Sequence, residues 1–316
     1  RRQRQMCIRD SLSVRFFPAQ EQSASPVIST KDETKHMQIY MMDSDKTLVP
    51  LSIPVSEEMS EEDKLALMFS YMSGKQEIKG FTPLFTKECT LQSSSIKNGI
   101  VSLYFDDSLK NYDKENELRI LEAITWGATQ FHDIEQVKLY LNDKQMTSMP
   151  NAQTPIPEIL NRSIGINHFE TSTTTLHDSA SLTVFYTKKV QGNEYMVPKS
   201  KRVAQSQGDA LKASVENILS DISVSSALDQ PLYADDIKVS SFDVYDGSLI
   251  VNLNKNILAS NRTVKQDVYN ALVLSLAALP GIEKVEVRVD GVTVSPKDQK
   301  EDMVSVYALT YNEVQF

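Results

Sequence analysis

Ile96-Lys97-Asn98-Gly99-Ile100-Val101 and Val244-Tyr245-Asp246-Gly247-Ser248-Leu249 are one hairpin written twice, with their turns 148 residues apart (98 to 246). Asn-Gly and Asp-Gly tolerate the positive φ angles of a type I′ turn, whose twist suits the strands it joins. A two-residue loop sets Ile96 opposite Val101 and Val244 opposite Leu249. Val101, Leu103 and Phe105 then continue one apolar face, as do Leu249, Val251 and Leu253. The same offset holds without a gap from Pro83 to Leu141 and from Pro231 to Val289. It also carries Val49-Pro50 and Val55 onto Val197-Pro198 and Val203. A repeat this long means two domains of one fold in tandem, so chemistry seen in only one copy is suspect as a shared activity.

Around each hairpin the periodicities are clear. Gln38-Ile39-Tyr40-Met41 and Thr183-Val184-Phe185-Tyr186 read as opening strands. Extended runs at Leu48-Val49-Pro50 and Met196-Val197-Pro198 follow, where Pro argues for a strand end or a sheet edge. Leu65, Met68, Phe69 and Met72, like Val215, Ile218, Leu219 and Ile222, keep helical spacing and predict a first helix. A second helix is expected from about Glu115 to Phe131 and from about Val264 to Leu279, the latter opened by a Thr263-x-x-Gln266 capping box. Its stripe, Leu121, Ile124, Ala128 and Phe131, maps onto Tyr269, Leu272, Leu276 and Leu279, and is expected to be the pillar of each core. Trp126 lies off that stripe and corresponds to Leu274, which favours packing over ligand stacking. Alternation of Val137, Leu139 and Leu141, and of Val285, Val287 and Val289, predicts a last strand with one buried face.

The order β-β-α-β-β-α-β predicts an α+β fold: two tandem copies of a small, mainly antiparallel sheet with two helices packed on one face. The expected boundaries are a disordered tether over 1–35, a first domain over 36–172, a linker over 173–180 and a second domain over 181–316. Residues 1–11 share nothing with the rest and read as non-native sequence, which removes Cys7 from the argument. Cys89 then stands alone, excluding a disulfide framework and reading as a small half-buried thiol.

With 42 acidic and 33 basic residues the net charge is −9, which repels phosphate backbones and anionic lipid. The best basic run, Lys199-Ser200-Lys201-Arg202, lacks interleaved aromatics and reads as a solvated face. Neither nucleic-acid binding nor, in the absence of a long apolar run, a membrane span is expected. His36, His132, His168 and His177 show no metal-ligand spacing. His168 with His177-Asp178 is the one weak candidate for a metal or base site, against exposed linker residues. Asp106-Asp107 invites an acid/base reading, but Asn254-Lys255 stands at the matching place, so turn formation explains the pair better. Glu61-Glu62-Asp63 reads as the acidic first turn of a helix. No nucleophile elbow, phosphate loop or H-E-x-x-H is present, and no catalytic, cofactor-binding or metal residue is assigned.

Leu109-Lys110-Asn111-Tyr112, Ile124-Thr125-Trp126-Gly127-Ala128-Thr129-Gln130-Phe131, Val137-Lys138-Leu139, Met149-Pro150, Thr154-Pro155-Ile156 and Gly165-Ile166-Asn167 together resemble the GerM family. These are tandem GerMN-domain lipoproteins of sporulation and germination in endospore-forming Bacillota. The resemblance runs over about residues 36–316. It implies a non-enzymatic, extracytoplasmic assembly protein that helps form or maintain the channel between mother cell and forespore. Partners would be proteins of that channel complex, with self-association into a ring as a further option, and no cofactor. It also implies a lipid anchor on a Cys after a signal peptide; Cys7 follows no apolar signal core, so the anchor is implied by the resemblance alone and assigned to no residue here. Two other readings stay open, a cell-wall hydrolase and a wall-glycan binding module acting in germination. The second is favoured if the cleft between the domains is apolar with a few convergent polar groups.

Overall fold

The computed structural model describes residues 35–168, 179–204, 210–224, 237–258, 264, 266–294, 304–305 and 310–314. Residues 1–34 of the expected tether, Thr171 to Thr175, His177-Asp178, Pro231 to Tyr233 and the cap at Thr263 lie outside them. In the first copy β1 (Lys35–Met42) and β2 (Leu48–Val55) pair antiparallel, followed by α1 (Glu61–Met72). Next come β3 (Leu91–Lys97) and β4 (Ile100–Phe105), α2 (Glu117–Ala128), β5 (Gln136–Leu141) and β6 (Lys144–Gln145). The second copy repeats this series. It runs β7 (Ser179–Val190), β8 (Asn193–Ala204), α3 (Ala210–Val224), β9 (Val239–Tyr245), β10 (Ser248–Leu253), α4 (Gln266–Ala277), β11 (Lys284–Val289), β12 (Val292–Thr293) and β13 (Val304–Ser305).

Each copy holds two hydrogen-bonded layers of strand: a hairpin, β1-β2 or β7-β8, and a sheet ordered β3-β4-β5-β6 or β9-β10-β11-β12. The turns are as the sequence predicts, Ile96 opposite Val101 and Val244 opposite Leu249. Asn98 and Gly99 have φ of 51° and 75°, and Asp246 and Gly247 have 47° and 70°. The sheets are antiparallel except at their centre, where β4 pairs with β5 and β10 with β11 in parallel. That follows from topology: the intervening helix returns the chain to the same end of the sheet.

Helices α1 and α2 pack on the hairpin and the sheet together, α1 against β1 and β3, α2 against β1 and β5. Leu65, Met68, Phe69 and Met72 are buried as expected, as are Val215, Ile218 and Leu219. The second helix ends earlier than its periodicity suggests, at Ala128 and Ala277, leaving Phe131 and Leu279 in the following turns. From Ile120 onward α2 is buried on every side, not along one stripe, and its buried residues include Glu117, Glu122, Thr125 and Trp126, while Leu118 in the first turn is exposed. Gly127 permits this closeness, since a Cβ there would collide with the Met68 sulfur. Pro50 sits inside β2 and not at its end, and in the two-stranded β1-β2 sheet β2 is an edge strand, the tolerated place for Pro in a sheet. Val197 belongs to the core of the first copy although it lies on β8, so the two cores meet.

Candidate functional site: the interface between the copies

The residues singled out for chemistry are scattered and structural. Asp106 caps a 3₁₀ turn over Asp107–Lys110, accepting from the Ser108 N–H at 2.9 Å. Asp107 pairs with Lys110 at 2.7 Å and accepts from Asn142 Nδ2 at 3.1 Å. Both carboxyls are held below their usual range, Asp106 by Ser108 and Asp107 by Lys110, so neither is poised as an acid. Glu61, Glu62 and Asp63 form the first turn of α1, whose cap Ser60 accepts from the Asp63 N–H at 3.1 Å. The carboxyl of Glu61 is pushed up, first by burial and then by Asp133, against the simple helix-dipole expectation. His36 lies in β1, and His132 is exposed beside Asp133 at 3.1 Å. The His168 ring bonds the Ile164 carbonyl at 2.6 Å. Cys89 is buried more deeply than expected, and burial pushes its thiol up to about 12, far from a reactive thiolate. Among the described residues no group of His, Cys, Asp and Glu could hold a metal, and no helix is long and apolar enough to cross a membrane.

Polar groups converge where the copies meet. Asn167 accepts from the Leu48 N–H at 2.8 Å and donates to the carbonyls of Leu48 at 2.7 Å and Pro198 at 2.9 Å. Asn312 accepts from the Met196 N–H at 2.7 Å and donates to the carbonyls of Met196 at 2.7 Å and Pro50 at 2.6 Å. Leu48 and Met196 are equivalent by the 148-residue offset, and so are Pro50 and Pro198. Each asparagine therefore grips its own copy's strand and reaches one carbonyl of the other copy, which is the reciprocity of a two-fold interface.

Backbone from each tail completes the contact. Ser200 donates its N–H to the Ile166 carbonyl at 2.8 Å, and its hydroxyl accepts from the Ile166 N–H at 3.0 Å. The equivalent Ser52 donates its N–H to Asn312 and its hydroxyl to the Tyr311 carbonyl, at 3.0 and 2.6 Å, and accepts from the Val314 N–H at 3.1 Å. Both serines are fully buried. The expected solvated face at Lys199–Arg202 is thus corrected: Ser200 points into the interface and Lys199 is half-buried, its ammonium pKa lowered by desolvation. One ion pair breaks the symmetry, with Lys188 reaching Asp43 at 2.5 Å and Asp45 at 3.1 Å.

Two buried acids anchor the first copy's tail. Glu117 accepts from the N–H groups of Asn151, Ala152 and Thr154 at 2.8, 2.7 and 3.0 Å, and from the Tyr112 hydroxyl at 2.7 Å. Burial alone would raise its carboxyl, yet these donors, led by Ala152, hold it down to about 2. Glu122 takes Arg119 at 2.7 Å and the Asn167 N–H at 3.2 Å; burial raises it and Arg119 offsets only part of that. Trp126 is packed, as expected, and donates its Nε1–H to the Gly165 carbonyl at 2.9 Å, with the Arg162 guanidinium 4.7 Å above its ring. Sequence periodicity alone did not flag Glu117, Glu122 or Asn312. The sequence signal for the last was faint: Ile166-Asn167 matches Tyr311-Asn312 at an offset of 145 (167 to 312), three short of the main repeat.

Next to the clasp lies a cleft of about 930 Å³ between the copies. Equivalent residues line it from both sides, Ile134 with Ile282 and Glu135 with Glu283, together with Arg162 and Arg202. It is as polar as it is apolar, unlike the apolar pocket with a few polar groups that a glycan site called for.

A sequence profile described as sporulation and spore germination, Germane, matches residues 38–147 and again 183–295, each match falling on one copy of the fold. The chain belongs to the Germane family. It is 30% identical over 279 residues to the spore germination protein GerM of Bacillus subtilis (strain 168), spanning 86% of this chain and 76% of that protein. The solved tandem GerMN domains of the sporulation protein GerM from Bacillus subtilis superpose with a TM-score of 0.76 at 27% identity, covering 89% of this chain and 99% of that one. Asn167 and Asn312 fall outside both profile spans, so the clasp joins two Germane units through their tails.

Proposed function

We propose that the protein is a sporulation subunit held outside the cytoplasmic membrane by an N-terminal lipid anchor. There it helps form or maintain the channel complex between mother cell and forespore, and through it affects germination. The observation that carries this reading is the match of both copies, in order, to the sporulation and germination family. The geometry supports it, because binding surfaces on two copies clasped by reciprocal bonds can engage a large assembly at two fixed points. Its partners are then other proteins of that complex, and self-association into a ring is one way of building it.

The test is complementation of a Bacillus subtilis strain lacking GerM, using this chain behind a lipoprotein signal. Replacing Asp106, Asp107, His168 and His177 together by Ala should leave sporulation unchanged in a folded protein. Removing 181–316 should abolish it. Failure of the folded quadruple variant would overturn the reading. So would retention of the pure protein on peptidoglycan sacculi, which would favour a wall-glycan module.

A further inference from the structure

A flexible tandem needs nothing between its domains, yet here two side-chain amides are fully engaged at the join. Each makes three hydrogen bonds, all to main-chain groups, and each residue stands in the left-handed region, Asn167 at φ 49° and Asn312 at 56°. Asn is the side-chain-bearing residue that best tolerates this conformation, and its short carboxamide can accept from an N–H while donating to two carbonyls. Asp would lose both donations, and Gly would keep the backbone but lose the amide.

We propose that Asn167 and Asn312 are a reciprocal latch that sets the orientation of the two copies. The surface they define on β2 and β8 is then a docking site whose fitting partner is a second copy of the same fold, here supplied within one chain. Three observations carry this. The bonds are reciprocal position by position, Leu48 with Met196 and Pro50 with Pro198. The latch reads main-chain groups, and prolines at the two bridged positions present a carbonyl acceptor with no N–H donor of their own. The buried Ser52 and Ser200 each take the other copy's tail, closing the outer edges of β2 and β8 that would otherwise invite foreign strands.

The consequence, which rests on the scaffold reading above, is that partners meet β3 and β9, the terminal strands of their sheets among the described residues, at a fixed separation. These edges expose Ser95 and Ser241. Spin labels at Ser95→Cys and Ser241→Cys, in a Cys7→Ser background with Cys89 buried, report the geometry of the full chain directly. The unaltered latch should give one narrow distance distribution. Asn167→Gly with Asn312→Gly should broaden it severalfold and speed hydrogen exchange of the Leu48, Ser52, Met196 and Ser200 amides by at least about tenfold. Asn312→Gly alone, close to the chain end, should do the same in part. An unchanged narrow distribution in the folded double variant overturns the proposal. So does broadening without faster exchange at those four amides. Complementation by the double variant despite a broadened distribution would keep the latch and remove its link to function.

Discussion

Glu117 shows what a single buried carboxylate does when donors outnumber it. Three tail N–H groups and the Tyr112 hydroxyl satisfy it, so its charged form belongs to the fold and its carboxyl falls from 4.5 to about 2. A depressed folded value stabilises above the unfolded one, and that stability drains away as pH falls from about 4.5 toward 2. Glu122 has the opposite sign. Raised by burial, it favours the fold most at low pH and loses that contribution as pH rises through its folded value. Glu117→Gln should cost about 1–3 kcal/mol at pH 7, because an amide cannot accept from all four donors. It should also flatten the loss between pH 7 and pH 3 seen in urea denaturation. A parallel loss in wild type and variant would remove Glu117 from the acid transition. Neither acid could be picked out from its neighbours in sequence, because burial by a distant tail leaves no local pattern.

At the scale of elements, the hairpins and helices follow from local rules, and their faces are right because periodicity reports which side meets a core. Ile124 and Leu272 occupy equivalent, fully buried places on α2 and α4. Truncation of each to Ala should cost about 2–5 kcal/mol, and the two costs should nearly add, as the sites share no partner. Chemical denaturation reads this directly, and a shift below about 0.5 kcal/mol at either site would put that side chain outside the core. The burial of α2 on every side from Ile120 onward escaped the sequence. Glu122 and Trp126 lie off the predicted stripe, and they are covered by the segment around Gly165 and Asn167, about forty residues further on.

At the scale of the whole molecule the copies share more than a linker. Val197 enters the first core, Tyr195 and Val314 pack against it, and Lys188 neutralises the buried Asp43 across the join. We expect residues 36–172 and 181–316, made separately, each to unfold cooperatively but several degrees below the full chain, since each loses half of a shared interface. Calorimetry of the three proteins checks this. Halves that melt with the full chain would mean that the clasp adds no stability, and halves without any transition would mean that neither is a domain by itself.

The sequence alone determined the repeat, the turn chemistry, the helix and strand faces and the family likeness, because all of these are written in residues a few positions apart or in matching order. The tertiary structure alone decided how the copies face each other. It brought Asn167 to Pro198 and Asn312 to Pro50, and buried Ser52, Ser200, Glu117 and Glu122. Those contacts join main-chain groups to side chains far along the chain, and a carbonyl carries no mark in the sequence of which amide it will meet.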